Sequence, residues 1–257
     1  MDETGAMRII GHRGGAGGIY PENSIPAFHH AIKMGADGIE LDVRLSRDNR
    51  VIVIHDATID RVSLGSGEVA QLGAAELRSH ALVDPSGTPH MDTRIPVLEE
   101  LFEAVDSGTI NIDLKTADTA LARAVADIVR RYDAAHRTTI ASFLPAAMEF
   151  FRSIAPDIFT SADPQEVKAL VRARYARESV RTPARRVQIP PRYRLFPLAT
   201  KGFVGYFHRH GLAVDVWTVN NPRFALKMAH IGVDALVTDD VAAIRHALHA
   251  GGAPGYA

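Results

Sequence analysis

Short apolar runs alternate with longer stretches of helical periodicity from one end of this chain to the other. The short runs are rich in β-branched residues and are bounded by turn residues, as strands are. We predict strands at 7–11, 38–43, 51–54, 110–114, 138–141, 158–160, 186–189, 212–219 and 235–238. We predict helices at 22–34, 97–105, 119–131, 146–154, 164–174, 199–210, 222–230 and 241–249. The alternation predicts an α/β protein with a parallel sheet.

The number of units indicates which α/β fold this is. About eight β/α units in a chain of this length match a closed (β/α)8 TIM barrel, which is the predicted fold class. An open, doubly wound sheet is the structural alternative. The glycine-rich segment Gly11–Gly18 does not follow the Gly-x-Gly-x-x-Gly order of a dinucleotide-binding turn, which favours the barrel.

The chain shows one interruption of this pattern and no shift in composition that would mark a second domain. We therefore expect a single domain over residues 1–257. The interruption, Ala57–Ile95, is rich in Ser, Gly, Thr and Pro. Because the loops on the catalytic face of a barrel carry function, we predict that this inserted segment lies over that face.

Composition excludes several classes of function. The formal net charge of −1 gives no general attraction to nucleic acid or to an anionic membrane. The absence of cysteine excludes disulfides, thiol catalysis and thiolate metal ligands. No apolar run approaches the ~20 residues needed to cross a bilayer, and the short acidic start, Met1–Ala6, does not resemble a signal peptide. We expect a soluble cytoplasmic protein, without nucleic acid and without stable membrane insertion; its oligomeric state is left open.

Candidate catalytic side chains stand at the ends of the early strands. Glu40 and Asp42 project to the same side of one strand because side chains alternate between faces. Two carboxylates this close repel each other unless a cation or a proton lies between them, which predicts a hard divalent metal ion. His12 and His55 each close an apolar run and are suited to acid and base roles near neutral pH. We expect all four at or near the carboxyl ends of barrel strands.

A further predicted strand, at 110–114, adds polar residues on one face. Asn111, Asp113 and Lys115 alternate with apolar residues. Polar side chains inside a barrel are hard to explain without a ligand. Asp113 can therefore complete a three-carboxylate metal site with the two neighbouring carboxylates, and Lys115 and Arg13 supply positive charge for a phosphate.

Together these motifs resemble the glycerophosphodiester phosphodiesterase family. They occur in order over nearly the whole chain: Gly11-His12-Arg13-Gly14, Pro21-Glu22-Asn23-Ser24, Gly38-Ile39-Glu40-Leu41-Asp42-Val43, Val53-Ile54-His55-Asp56, Asn111-Ile112-Asp113-Leu114-Lys115, Ala141-Ser142-Phe143, Val216-Trp217-Thr218-Val219-Asn220 and Gly232-Val233-Asp234-Ala235-Leu236-Val237-Thr238-Asp239. The resemblance implies a (β/α)8 barrel with an insertion after the second unit. It also implies metal-dependent hydrolysis of glycerophosphodiesters to sn-glycerol 3-phosphate and an alcohol, with Mg²⁺ or Ca²⁺ as the cofactor.

The resemblance also implies a role for each matching residue. The acid–base pair is His12 and His55. The metal ligands are Glu40, Asp42 and Asp113, the last standing where the family most often has glutamate. The substrate-binding residues are Arg13 and Lys115 at the phosphate and Trp217 near the glycerol pocket.

Two departures from the family pattern stand out. The segment at 239–241 lacks the usual proline, and the segment at 61–65 lacks the usual threonines. We expect neither departure to touch a proposed catalytic group.

Other functions remain open at this point. A lysophospholipase D-like or sphingomyelinase D-like phosphodiesterase shares the histidine and carboxylate arrangement, although the absence of cysteine and of a secretion signal disfavours the secreted toxin type. A barrel that binds a glycerophosphodiester without turnover is disfavoured because both histidines are present. The head group, the nucleophile (water or the glycerol 2-hydroxyl) and the division of roles between the histidines also stay open.

One charged stretch lies apart from these motifs. Residues 171–194 include eight arginines and one acidic residue. They would steer anionic substrates or lipid surfaces to the site, or form a solvated surface, which is the interpretation that we favour.

Overall fold

Parallel strands joined by helices build the barrel that the sequence predicts. The computed structural model describes residues 6–256. The strands are β1 Arg8–His12, β2 Gly38–Leu45, β3 Val51–Val53, β4 Ala81–Val83, β5 Pro89–Arg94, β6 Thr109–Leu114, β7 Thr138–Ala141, β8 Phe159–Thr160, β9 Arg186–Ile189, β10 Arg192–Tyr193, β11 Phe196–Pro197, β12 Ala213–Val216 and β13 Ala235–Thr238. The expectation for the acidic N-terminus falls mainly on residues 1–5, which lie outside the described residues.

The helices follow the strands closely along the chain. They are α1 Ile25–Lys33, α2 Ala74–Leu77, α3 Leu98–Ala104, α4 Thr119–Arg131, α5 Pro145–Ile154, α6 Pro164–Ala176, α7 Lys201–Arg209, α8 Pro222–His230 and α9 Val241–Ala250, with 3₁₀ turns at Val69–Gln71 and Ala135–Arg137. None of the helices within residues 6–256 is both long enough and apolar enough to pass through a bilayer.

The barrel consists of eight parallel strands in the order β8-β7-β6-β2-β1-β13-β12-β9. Ser161, just after β8, pairs in parallel with Arg186 at the start of β9 and nearly closes the ring. The prediction of a (β/α)8 barrel is therefore confirmed, and the open doubly wound sheet is wrong.

Capping residues begin the helices immediately after the strand ends. Ser24 precedes α1 and accepts a hydrogen bond from the Ala27 backbone N–H at 3.3 Å. Asn221 caps α8 by accepting from the Phe224 N–H at 3.0 Å. Such caps satisfy backbone donors that a helix leaves unpaired at its first turn. Each helix can therefore start close to the catalytic end of the barrel and run back along its outside.

Strand β3 differs from the expectation for the segment at 51–54. It pairs antiparallel with the end of β2, with Val43 opposite Val53, and is not one of the parallel barrel strands. The polar residues between the two strands form a tight turn, in which the Ser46 N–H donates to the Arg50 carbonyl at 3.0 Å. The chain thus reverses direction and returns to the carboxyl end of β2.

The inserted segment builds a small core of its own. Its apolar side chains, among them Ile59, Val69 and Leu77, pack with Ile52 and Ile54 in a cluster separate from the main core. The segment folds as a 3₁₀ turn, α2 and the antiparallel pair β4–β5. Its residues therefore rest on the β2–β3 hairpin, the same hairpin that ends at His55.

Candidate active site

The predicted site residues line one cavity at the carboxyl ends of the barrel strands. Its volume is about 940 Å³. The predicted residues on its wall are His12, Arg13, Glu40, Asp42, His55, Asp113, Lys115 and Trp217. Positions from β1, β2, β6 and the segment after β12 thus meet in one place, as the parallel arrangement of the strands requires.

His12, the last residue of β1, is held by a carboxylate from the other end of the chain. Its Nδ1 lies 2.6 Å from Asp239 Oδ1, just beyond β13. Asn220 donates to the second oxygen of Asp239 at 2.5 Å. The other ring nitrogen, Nε2, lies 3.9 Å from Glu40 Oε2. Burial alone would lower the pKa of His12, but the hydrogen bond to Asp239 and the charge of Glu40 raise it above its ordinary value.

His55 has a similar support from a different part of the chain. Its Nδ1 lies 2.7 Å from Asp56 Oδ1. Arg61 of the inserted segment donates to Asp56 Oδ2 at 2.7 Å and to both oxygens of Glu22 at 2.7 and 2.8 Å. The hydrogen bond from Arg61, followed by that of His55, lowers the pKa of Asp56 to about 2. Asp56 therefore stays ionised beside the imidazole.

The contacts of Asp239 and Arg61 bear on one expectation from the sequence. We expected that neither departure from the family pattern touches a proposed catalytic group, and this is wrong for the segment at 239–241, whereas the segment at 61–65 reaches His55 only through Asp56. Asp239 belongs to the first departure and bonds His12, while Arg61 belongs to the second and holds the carboxylate that bonds His55. The sequence contains the acidic residues, but their pairing with imidazoles depends on contacts between distant segments.

The carboxylates of the site alternate with cations. Lys115 Nζ lies 2.7 Å from Asp42 Oδ1 and 2.6 Å from Asp113 Oδ2. Arg13 Nε lies 3.0 Å from Asp42 Oδ2, and its Nη1 donates to Glu22 at 3.0 Å. The two cations predicted to contact a phosphate thus line the cavity while paired with carboxylates.

The three carboxyl groups of the predicted metal site differ in their electrostatics. Burial raises the pKa of Glu40, the negative charge of Asp42 raises it further, and together they bring it to about 8. Burial also raises the pKa of Asp113 to about 6, although Lys115 opposes it. For Asp42 the effect of burial is outweighed by Lys115 and Arg13, and its pKa is lowered. The site therefore carries more buried carboxyl groups than its own cations neutralise.

A divalent cation fits this donor set. All three side chains offer the hard oxygen ligands that Mg²⁺ and Ca²⁺ prefer. Asp113 Oδ1 is buried and has no hydrogen-bond partner among residues 6–256. Within that range, however, no three His, Asp or Glu side chains converge as a ready metal site. Lys115, between Asp42 and Asp113, occupies part of the space that such convergence needs.

The remaining wall of the cavity is apolar and aromatic. The Trp217 ring packs against Ile10, Ala235 and Val237 and meets the Phe143 ring edge-on at a centroid distance of 5.6 Å. Phe143 follows β7 and is 58% exposed. Its place at the end of the Ala141-Ser142-Phe143 motif is the signal in the sequence that could have marked it as a cavity residue.

The chain is similar to known proteins over most of its length. The sequence profile of the glycerophosphoryl diester phosphodiesterase family matches residues 12–243. YhdW of Bacillus subtilis strain 168 is 34% identical over 236 residues, which cover 91% of this chain and 94% of YhdW. A glycerophosphodiester phosphodiesterase of Bacillus altitudinis is 30% identical over 247 residues, 90% of this chain and 94% of that protein.

A solved structure supports the fold. A phosphodiesterase of Oleispira antarctica, in complex with the product sn-glycerol-3-phosphate, superposes with a TM-score of 0.78 at 23% identity, covering 95% of this chain and 97% of that chain. The profile match extends over most of the chain, and the two relatives align over nearly their whole length. The chain therefore belongs to the glycerophosphoryl diester phosphodiesterase family and is an enzyme of that family.

Proposed function

We propose that this enzyme hydrolyses glycerophosphodiesters to sn-glycerol 3-phosphate and an alcohol by paired histidine acid–base catalysis. The observation that carries the proposal is that His12 and His55 line the same cavity, each with its Nδ1 on a carboxylate. When Nδ1 donates to that carboxylate, Nε2 is the nitrogen available for proton transfer. One imidazole removes a proton from the nucleophile and the other protonates the leaving oxygen.

The charge of the phosphodiester is met by groups of the same cavity. Arg13 and Lys115 already stand beside carboxylates, so they bind the phosphate by sharing their N–H donors with it. Preorganised donors of this kind stabilise the charge that develops on the phosphate oxygens in the transition state. Trp217 and Phe143 offer flat apolar surfaces for the carbon skeleton of the glycerol or of the head group.

We assign the metal site to Glu40, Asp42 and Asp113, with Mg²⁺ or Ca²⁺ as the ion. A bound divalent cation supplies charge neutralisation at the phosphate oxygens. The raised pKa values of Glu40 and Asp113 support the assignment, because a cation between these groups favours their ionised forms.

A lysophospholipase D activity is the second candidate function. The observation that favours it is the apolar part of the cavity wall, which includes Val167, Val171, Ile189, Phe196 and Leu198. A glycerophosphodiester with a small polar head group does not need this surface, whereas the acyl chain of a lysophospholipid would bury apolar area on it.

The two functions are separated by measuring products from a panel of substrates. The panel contains glycerophosphocholine, glycerophosphoethanolamine, glycerophosphoinositol and lysophosphatidylcholine, each with and without EDTA and with Mg²⁺ or Ca²⁺ restored. Release of glycerol 3-phosphate that EDTA stops supports the main proposal. Lysophosphatidic acid as the dominant product supports the second. If the protein with its metal releases no phosphomonoester from any of the substrates, both proposals are wrong.

A further inference from the structure

The hairpin β10–β11 exposes apolar side chains beside the cavity. Tyr193 pairs with Phe196, and the two-residue tip between them is Arg194–Leu195. Leu195 is 90% exposed and Tyr193 is 64% exposed. Two-residue hairpin tips usually carry Asn, Asp or Gly. The turn preference therefore does not account for a leucine at this tip, and together with Tyr193 and Phe196 it forms an exposed apolar patch of the kind that marks an interaction site.

Aromatic contacts fix the base of the hairpin. The Phe196 ring lies 5.7 Å from that of Phe203 in α7 and 6.3 Å from that of Tyr175 in α6. Tyr175 is itself 65% exposed. The tip is thus presented outward from a packed base rather than from a free loop. We call Tyr175, Arg192, Tyr193, Arg194, Leu195 and Phe196 the hairpin surface.

The hairpin surface carries two arginines and no acidic residue, although the whole chain carries a net charge of −1. Of the arginines at 171–194, Arg186 is paired with Asp215 at 2.7 Å and Arg174 stacks on Phe203 at 4.3 Å. Arg192 and Arg194 lie exposed on the hairpin, Arg194 with its guanidinium 5.9 Å from the centre of the Tyr193 ring, and no ion pair with a carboxylate is found for either among residues 6–256. Tyrosine, leucine and arginine together are typical of surfaces that dock at the headgroup region of a membrane.

The hairpin surface is continuous with the active-site cavity. Tyr193 and Phe196 line both, and Lys168 and Val171 of α6 line the cavity beside them. A bilayer that contacts the hairpin would therefore also face the mouth of the cavity.

We propose that the hairpin surface docks this enzyme on bilayers that contain anionic phospholipids. Leu195 and Tyr193 enter the headgroup region, and Arg192 and Arg194 bind lipid phosphates. A second copy of the chain is a poorer occupant, since a twofold contact would bring the same arginines against each other. Docking is peripheral and requires no spanning helix. The docking itself does not depend on the proposed function. Only its consequence rests on that function: a single-chain glycerophospholipid could pass from the bilayer into the apolar part of the cavity.

The test is sedimentation with vesicles of phosphatidylcholine, with or without phosphatidylglycerol. The intact protein should bind the anionic vesicles, and salt should release it. The double variant Arg192→Gln/Arg194→Gln should bind them roughly 30-fold more weakly, because each basic residue near such a surface contributes about 1 kcal/mol. Leu195→Ser should weaken binding by on the order of tenfold through lost apolar burial.

Matched controls use similar residues outside the hairpin surface. Leu64 is 56% exposed, and the side chains of Arg47 and Arg131 are 65% and 63% exposed. Leu64→Ser and Arg47→Gln/Arg131→Gln should bind vesicles as the unaltered protein does. All variants should retain hydrolysis of glycerophosphocholine in solution, so a failure of the proposed function is read separately from a failure of docking.

Three outcomes would overturn the docking proposal. The first is that the unaltered protein does not sediment with anionic vesicles at low salt. The second is that Leu195→Ser and Leu64→Ser bind equally well. The third is a concentration-dependent dimer that Leu195→Ser abolishes, which would assign the surface to a second copy.

Discussion

At the scale of single residues, the two candidate catalytic histidines are held in the same way. Each directs Nδ1 to a carboxylate, Asp239 for His12 and Asp56 for His55. Such a bond sets both the orientation and the tautomer of the ring. In the proposed mechanism, proton transfer therefore depends on two carboxylates in addition to the three assigned to the metal.

The first prediction concerns the imidazoles. His12→Ala and His55→Ala should each lower kcat for glycerophosphodiester hydrolysis by on the order of 10²–10⁴, the usual contribution of a positioned acid or base. Both side chains lie at the cavity wall rather than in the packed core, so folding should persist by circular dichroism. A variant that keeps full turnover on every substrate would make that histidine structural.

The second prediction concerns the support of His12. Asp239→Asn should lower kcat by about 10- to 100-fold, since a hydrogen bond to a charged group contributes about 1.5–3 kcal/mol. KM should change little because Asp239 acts through His12. The control is Asp240→Asn, whose side chain caps α9 by accepting from the Ala243 N–H at 2.9 Å. Equal kcat in the two variants would argue against the positioning role.

The third prediction tests Asp113 as a metal ligand. Asp113→Asn removes a charge while keeping shape and one oxygen, so the apparent metal affinity should fall and excess metal should recover part of the activity. Asp113→Glu should be tolerated, because it restores the length usual in the family. Metal titrations of both variants and of Glu40→Gln provide the measurement. If only Glu40→Gln changes the affinity, Asp113 serves instead to orient Lys115, which it contacts at 2.6 Å.

At the scale of elements, buried carboxylates join neighbouring strands and helices. Asp234, just before β13, accepts from the Val214 N–H of β12 at 2.8 Å and lies 2.7 Å from His208 Nε2 of α7. Burial would raise the pKa of Asp234, but these hydrogen bonds lower it below its ordinary value of 3.8. The ionised carboxylate therefore stabilises the contact between these elements.

The fourth prediction follows from the direction of that shift. Since the folded pKa lies below the unfolded one, the stabilisation is present above the unfolded value and is lost as the pH falls through the folded value. At neutral pH, Asp234→Asn should lower the free energy of unfolding by about 1.5–3 kcal/mol. Denaturant titrations should show this difference shrinking as the pH falls below 3.8.

A control separates this effect from general acid destabilisation. Asp127 is exposed on α4, and Asp127→Asn should stay within about 0.5 kcal/mol of the unaltered protein at each pH. A pH-independent difference for Asp234→Asn would show that shape, not charge, accounts for its effect.

At the scale of the whole molecule, barrel closure brings the carboxyl groups of Glu40, Asp42 and Asp113 together in one cavity. Ligands for the proposed metal come from β2 and β6, which pair side by side so that Asp42 lies opposite Asp113. A cation bound there binds only the folded state, because the unfolded chain separates these residues. Metal binding should therefore stabilise the entire barrel.

The fifth prediction concerns the link between metal binding and the stability of the fold. Mg²⁺ or Ca²⁺ at about 100 times its Kd should raise Tm by roughly 5–10 °C, from about 2.7 kcal/mol of binding energy in a domain of this size. Glu40→Gln should remove the response without lowering the basal Tm, since burial and Asp42 already disfavour the charged form of Glu40. A Tm unaffected by Mg²⁺, Ca²⁺ and EDTA would contradict the assigned metal site.

Much of this architecture follows from local patterns in the sequence. The predicted strands at 138–141, 186–189 and 235–238 and the predicted helices at 119–131 and 222–230 agree with the observed bounds. The placement of Glu40 and Asp42 on one wall likewise follows from the two-residue period of a strand. These features depend on neighbours along the chain, which the sequence displays directly.

Only the tertiary structure decided how distant segments complete the site. His12 and Asp239 are separated by 227 positions and meet because β1 pairs with β13. His55 reaches the cavity through an antiparallel hairpin, not through a parallel barrel strand as its apolar run suggested. An apolar run has the same appearance in either direction of pairing, and a carboxylate does not reveal its partner. The tight turn between β2 and β3 sets the direction of β3. The closure of the barrel brings its first and last strands side by side and so sets the partner of His12.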